Sequence, residues 1–600
     1  MAAKTKNQDQ DVGLSGSKLK KLKITNFRCI GSEGVSIELD KIVVLVGANN
    51  VGKSTILRAY EYVMDHKNIT KEDFPGGEFN KDKQPEVELE TWLGEEKPGE
   101  EWHLSDVSTN NLYIRERWTW GEDLKPVRCG HKAASGWDEK VPWGAPNVAK
   151  SRRPKPHRVS AFAPPQEQAD QVAKLLLQWI KERAALTSID ENGKDNSAFG
   201  KIKRVYDEVH TQVVEETKEQ LELAESAISD VISKVFKGYK VKFDVSTSDK
   251  SDKILELLLS SPSLRMGPED GFMANVEDQG SGAQRTMLWA ALKLLAEQKP
   301  SKPSKATSKK SPDSSEADAI RPNVLLIDEP EICLHPSAVR EACETLYELA
   351  EGDSDWQIMI TTHSPIFINL SKDNTTIVRV ERNEKGTING TTIFRPSKAG
   401  LTDDDQQQLK LLNLWDPYVA EFFFGGKTIL VEGDTEYSAF KAITNDDHGK
   451  YHNVHVVRAR GKAILVPLIK ILNHFGKPFA VLHDADLPEA NTNTGKRINA
   501  MWTMNSRIKD AILESKESAI NIRHVTSIKD FEAALFGSEA KKEKPYAAWK
   551  QISNSPEMRN KCTQLLDHLL GDVTASLPDN FIAWEKEEDL RTAVVKYILI

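Results

Sequence analysis

The chain has 600 residues, 39 % of them hydrophobic, with a formal net charge of -9 and five cysteines. That length exceeds a single core and implies about three or four domains, while the acidic balance excludes a uniformly basic nucleic-acid coat. No run of about 18 apolar residues is present to span a membrane, the opening MAAKTKNQDQDVGLSGSK lacks the apolar core of a leader, and scattered cysteines in odd number point to a reducing, cytoplasmic location.

Residues Lys18 to Ile30 alternate as a strand with Leu22, Ile24 and Phe27 as core candidates, and Val35 to Leu39 reads as its antiparallel neighbour. Lys41 to Val46 is a short β-branched run, a buried strand. GANNVGKS (Gly47–Ser54) follows and fits G-x-x-x-x-G-K-[ST], with Ile56, Leu57, Tyr60 and Val63 at helical spacing beyond it. Strand, glycine loop and helix are the context this phosphate-binding motif requires. Gly47, Asn49, Asn50, Gly52, Lys53, Ser54 and Thr55 are its nucleotide contacts. Lys53 reaches the β- and γ-phosphates and the Ser54 hydroxyl ligates Mg²⁺.

Glu86 to Leu93 and Leu112 to Trp120 read as strands of a β-lobe. The densest basic cluster, Lys150 to Arg158, is either a DNA-backbone contact or a solvated loop. From Gln166 to Phe236 the apolar spacing predicts two long amphipathic helices, a dimerisation arm or simple core packing. Val241 to Leu259 returns to strand character. Gly280, Ser281, Gly282 and Gln284 resemble the ABC signature, which meets a γ-phosphate across a dimer; a glycine-rich turn before a helix explains them equally well. Residues 298–322 are low-complexity and expected to be disordered. Asn323 to Pro330 is a buried strand ending in acids: Asp328 to hold Mg²⁺ through water, Glu329 to polarise the attacking water. Gln357 to Pro365 is another strand, ending at His363, a γ-phosphate sensor.

Beyond Glu421 the pattern becomes strand, turn and helix repeated. Lys427 to Tyr437 carries Glu432 and Glu436, His455 to Ala459 is a second strand, and Phe479 to Asp486 ends in Asp484 and Asp486. A small parallel sheet gathers such groups at the carboxyl ends of its strands. Carboxylates without His or Cys favour Mg²⁺ or Mn²⁺, which activates water against a phosphodiester. The bland alternative is a set of exposed strand-end acids.

The E-G-x-x-E and D-x-D pair resembles the Toprim domain, and the order phosphate loop, signature-like loop, acid pair and His resembles an ABC-type ATPase head. Together they resemble the OLD (overcoming lysogenisation defect) family. The resemblance implies an α/β fold with four parts: residues 1–165, the phosphate loop and β-lobe; 166–240, a helical dimerisation insertion; 241–420, the rest of the ATPase; and 421–600, the Toprim domain. It implies an ATP-regulated, divalent-metal-dependent DNA endonuclease in antiphage defence, assembled as a homodimer or larger through its ATPase heads, with a reverse transcriptase or helicase as partner. Glu432, Glu436, Asp484 and Asp486 match the family's metal ligands, Glu532 a later acidic position, and Lys544 the downstream lysine that stabilises the transition state. A core-facing helix around Phe531 and a solvated lysine face explain the last two equally well. The competing reading is a DNA-binding scaffold ATPase whose Toprim domain is inactive.

Overall fold

A computed structural model describes residues 16–159 and 322–599 apart from short breaks (95–96, 108, 352–353, 355, 371, 373, 384–385, 389–390, 396–397, 417, 493–494, 515–519 and 538–542), together with 265–266, 272, 274–275 and 278–288. The expected helical insertion at 166–240, the strand at Val241 to Leu259 and all but the last residue of 298–322 lie outside the described residues.

The strand Ile42–Val46 is buried at every position, as a β-branched run covered on both faces must be. It sits inside a six-stranded sheet ordered Thr391–Phe394, Thr375–Val380, Ile42–Val46, Trp356–Thr361, Asn323–Asp328, Lys155–Val159. Only the Thr391–Phe394 edge is antiparallel. Parallel strands end on one side, so the phosphate loop, Asp328 and Thr361 meet at the same sheet edge.

The β-lobe begins with Lys18–Thr25, shorter than the alternation to Ile30 suggests, because Asn26 and Arg28 take positive φ of 52° and 53°. This strand pairs antiparallel with Val35–Glu38 and with Glu86–Trp92, and the sheet continues through Leu112–Trp120, Pro126–Lys132 and Gly136–Asp138. Its inner face, including Leu22, Ile24, Val87, Leu89 and Trp118, shares one core with Ile56, Leu57 and Tyr60 of the helix Lys53–Asp65. The helix that follows the phosphate loop is thereby clamped from behind.

The basic cluster is neither a free loop nor an open patch. It forms the end of the helix Pro146–Arg152 and the edge strand Lys155–Val159, and its cations face carboxylates. Arg153 pairs with Glu116, Arg158 with Asp328 and Lys150 with Asp65.

The C-terminal sheet has five strands ordered Val454–Arg458, Lys427–Val431, Phe479–Asp484, Ile522–Ser527, Phe581–Ile582, the first four parallel. Helices Asp434–Thr444, Lys462–Phe475, Phe531–Phe536 and Lys544–Asn554 surround it. The helix Asp403–Trp415 packs on Lys462–Phe475, tied by Lys470 to Asp405 at 2.7 Å. The described pieces of 265–288, with Cys333–His335, belong to a separate unit. There Arg265–Met266 pairs with Ala274–Asn275 and residues 281–288 are helical. No helix among the described residues is long and apolar enough to cross a membrane.

Candidate nucleotide and metal sites

Gly47, Asn50 and Gly52 take positive φ of 138°, 59° and 94°, the kind of backbone turn with which successive N–H groups can cradle an anion. A Cβ at position 47 would lie 2.4 Å from the Val380 carbonyl oxygen, and one at 52 would lie 2.6 Å from Cys29 Sγ and Ile388 Cδ1. Only glycine fits either position. Asn49 stands exposed at the crest, the Asn50 carbonyl accepts from Arg382 Nε at 2.8 Å, and Thr55 Oγ1 is 3.8 Å from Cys29 Sγ.

Lys53 Nζ donates to the carbonyls of Gly47 (3.1 Å) and Ala48 (2.9 Å) and to His363 Nε2 (2.9 Å). An ammonium only donates, so Nε2 accepts and the neutral ring carries its proton on Nδ1. Burial lowers the His363 pKa and the Lys53 charge lowers it further. Asp328 Oδ1 accepts from Ser54 Oγ at 2.9 Å and Thr361 Oγ1 at 2.7 Å. Glu329, with φ of 46°, places Oε1 3.6 Å from His363 Nε2. Lys53, Ser54, Asp328, Glu329 and His363 are therefore gathered at one sheet edge. Ser54 and Asp328 are the hard-oxygen pair suited to Mg²⁺, and the loop with Lys53 suits nucleotide phosphates.

Two residues join this site beyond those the motifs name. Arg158, at the end of the edge strand, sets Nη2 on Asp328 Oδ2. Glu331 accepts the His363 N–H at 2.6 Å and the Thr362 hydroxyl at 2.9 Å, and burial raises its pKa. The D-E-P-E spelling after Asp328 was the one available hint. In the separate unit, Ser281 and Gly282 open the helical residues 281–288, and Gln284 Nε2 donates to the Gln279 carbonyl at 2.8 Å. A Cβ on Gly282 would come within 2.9 Å of the Cys333 carbonyl oxygen.

At the second sheet, Glu432 follows the strand Lys427–Val431 and Asp484 ends its neighbour. The Asp484 N–H donates to Glu432 Oε2 at 3.1 Å. Glu436, in the first turn of Asp434–Thr444, is buried at 4 % exposure, as is Glu532 in the first turn of Phe531–Phe536. Burial raises all three of Glu432, Glu436 and Asp484, Glu436 to about 8, and each is raised further by at least one neighbouring carboxylate. Glu532 Oε1 accepts from Thr435 Oγ1 at 3.0 Å and lies 3.3 Å from Lys544 Nζ. Phe531 is core, yet the next residue turns to the acids, and Lys544 remains half exposed. Asp486 differs from the others. It sits past the strand end at φ of 59° and pairs with Lys462.

An oxygen-only donor set of mutually repelling, poorly hydrated carboxylates suits a hard divalent cation. Among the described residues no three His, Cys, Asp or Glu side chains already form a ligand set for a metal ion. Asp484 is bonded to Ser527 Oγ at 2.6 Å and Glu532 to Thr435 and Lys544, so closing on an ion exchanges such bonds for coordination.

Two family models match the chain. The AAA ATPase domain matches residues 18–100 and 164–368, and the "Overcoming lysogenization defect protein-like, TOPRIM domain" matches 423–486. The Old nuclease of Escherichia phage P2 is 23 % identical, over 86 % of this chain and 85 % of that protein. The OLD nuclease of Thermus scotoductus is 24 % identical, over 78 % of this chain and 82 % of that one. Among solved structures, an SMC head bound to the C-winged helix domain of ScpA is 14 % identical and covers 64 % of this chain, with a TM-score of 0.34. The chain thus joins an AAA ATPase domain to an OLD-like Toprim domain and resembles the Old nucleases over most of its length.

Proposed function

We propose that this chain is a divalent-metal-dependent DNA endonuclease whose activity is regulated by ATP in the phosphate-loop site. The observation that carries the reading is the convergence of Glu432, Glu436, Asp484 and Glu532, from three separate segments, at one end of the Toprim sheet beside Lys544. Glu432, Glu436 and Asp484 would hold a Mg²⁺ or Mn²⁺ ion, with Asp486 and Glu532 flanking them. Such an ion, when bound, supplies a water nucleophile at neutral pH and Lewis-acid stabilisation of the leaving oxygen. Lys544, at the open side of the cluster, places a positive charge where a scissile phosphate gains negative charge. In the ATPase domain Lys53 and the loop N–H groups bind the phosphates, Ser54 and Asp328 hold Mg²⁺, Glu329 orients water and His363 reads the γ-phosphate. The chain works as a homo-oligomer through its ATPase heads, Ser281, Gly282 and Gln284 meeting nucleotide bound by a second copy, and serves antiphage defence with a reverse transcriptase or helicase partner.

Plasmid nicking with Mg²⁺ or Mn²⁺ tests the reading. Wild type nicks, and Asp484→Ala abolishes nicking while retaining DNA binding. Equal cleavage by both proteins rejects the Toprim assignment. DNA binding without cleavage under any divalent ion selects a scaffold ATPase instead.

A further inference from the structure

Lys462 opens the helix Lys462–Phe475, yet its side chain is 0 % exposed. A buried ammonium survives only if every N–H finds an acceptor and a counter-charge stands close. Here three acceptors match three protons: an Asp486 carboxylate oxygen, Asn505 Oδ1 at 3.0 Å and the Met501 carbonyl at 3.2 Å. The frame around it is also fixed. Asn505 is itself fully buried and donates Nδ2 to the Ala485 carbonyl at 2.8 Å. One amide therefore ties Lys462 to the backbone between the two aspartates of the D-x-D motif. The Asp486 N–H donates to the Lys529 carbonyl at 2.8 Å, and its left-handed φ turns the chain out of the strand direction. Asp486 keeps 31 % exposure while Lys462 has none. The lysine grips the carboxylate from the protein side and leaves the outer side open.

We propose that Lys462 is a positioning residue of the Toprim centre: its buried ammonium holds the Asp486 carboxylate at the rim of the acid cluster, in the orientation from which it joins Glu432, Glu436 and Asp484 around a divalent ion. This rests on the metal-dependent reading above. Groups that orient a metal ligand from behind typically account for about 10–100-fold in metal affinity. A lysine in this place has a second effect that a neutral donor lacks, because its charge offsets part of the repulsion among the acids.

The test is Mn²⁺ titration of the full chain without nucleotide, by calorimetry and by the electron paramagnetic resonance of bound Mn²⁺; the ion lost in Asp484→Asn marks the Toprim site. Lys462→Met is expected to weaken that ion by about 10–100-fold, with unchanged nucleotide binding at Lys53 showing that the chain folds. Asp486→Asn weakens it as well, and the double variant is no weaker than Asp486→Asn alone, because the lysine acts through that carboxylate. Wild-type Mn²⁺ affinity in Lys462→Met overturns the proposal, and so do additive losses in the double variant, while both leave the nuclease reading standing. A wild-type chain with no Mn²⁺ site removable by Asp484→Asn overturns that reading and this role together. Lys462→Gln, shorter and neutral but still a donor, carries the same comparison if Lys462→Met does not fold.

Discussion

Lys477 Nζ lies 2.6 Å from Glu381 Oε2, an ion pair that joins the Toprim domain to the end of the strand beside the phosphate loop. Glu381 is also held by Arg379, and the next residue, Arg382, donates Nε to the Asn50 carbonyl of the loop. Lys477 follows Gly476, the C-cap of the helix that begins at Lys462. A single helix thus runs from the neighbourhood of the loop to the acid cluster, and under the ATP-regulated reading a movement of the loop would have a direct mechanical route to Asp486.

Both members of the pair are more than a third exposed, so its worth to stability is at most about 1 kcal/mol. Under the ATP-regulated reading its role is coupling. Lys477→Glu places like charges face to face and is expected to leave thermal stability and nicking without nucleotide close to wild type. The ratio of nicking with and without ATP moves toward one. A ratio equal to wild type would show that the signal travels elsewhere.

Glu331 fixes the backbone on which His363 stands, through bonds to the His363 N–H and the Thr362 hydroxyl. Removing that carboxylate takes an acceptor from two partly buried donors, at a cost of up to about 1–3 kcal/mol each, and lets the imidazole leave Lys53. Glu331→Ala is expected to slow ATP hydrolysis by about tenfold or more with a smaller change in ATP affinity. In a His363→Ala background the same substitution adds little further loss. Equal effects in both backgrounds would mean that Glu331 serves the fold rather than the histidine.

What was legible in the sequence is what short-range chemistry dictates. Gly47 and Gly52 are required by local φ and close approach, and Lys53 and Ser54 sit at fixed offsets from them. Asp328 and Asp484 end apolar strands, so a parallel sheet delivers each to a working edge. The hidden residues are those whose partners are distant in the chain. Arg158 meets Asp328 across 170 positions and Arg153 meets Glu116 across 37, so a run that reads as a basic patch is largely neutralised by acids no local pattern indicates. Lys462 carries no mark of its role, because nothing near it in sequence announces Asn505 or Asp486. The strand Thr375–Val380, next to the phosphate-loop strand, carries no clean apolar pattern, because TTIVRV includes an Arg that is buried against Glu381 and the Phe475 ring.

Glu116 is fully buried between Arg128 and Arg153, both at 5 % exposure or less, and Arg153 lies over the Trp118 ring at 4.8 Å. Glu116→Ala would leave two guanidinium groups facing each other without their shared counter-ion. Removing one member of such a buried network typically costs about 3–5 kcal/mol. Differential scanning calorimetry is expected to show the ATPase transition lowered by several degrees with the Toprim transition unmoved. Glu116→Gln, which keeps the volume and one acceptor, should lose less. A loss below about 1 kcal/mol would mean that solvent reaches the arginines.

His524 is buried against His483, with Nε2 to Nε2 at 2.8 Å and the rings stacked, and Trp584 lies 5.2 Å away. Burial, then the nearby Lys509 charge, takes its pKa from an ordinary 6.5 down to about 3. The folded chain therefore refuses a proton that the unfolded chain accepts, and stability falls as pH drops from about 6.5 toward about 3, by at most about 1.4 kcal/mol per pH unit for this one ring. Above pH 7 both states hold a neutral ring and the effect vanishes. Hydrogen exchange of the strand Ile522–Ser527 reports this sheet alone. Its protection should decline on acidification from pH 6 to pH 4, and in His524→Phe the decline should be shallower by up to about tenfold in opening constant per pH unit. An identical decline in the two proteins would place the acid sensitivity in the carboxylates rather than in the histidine pair.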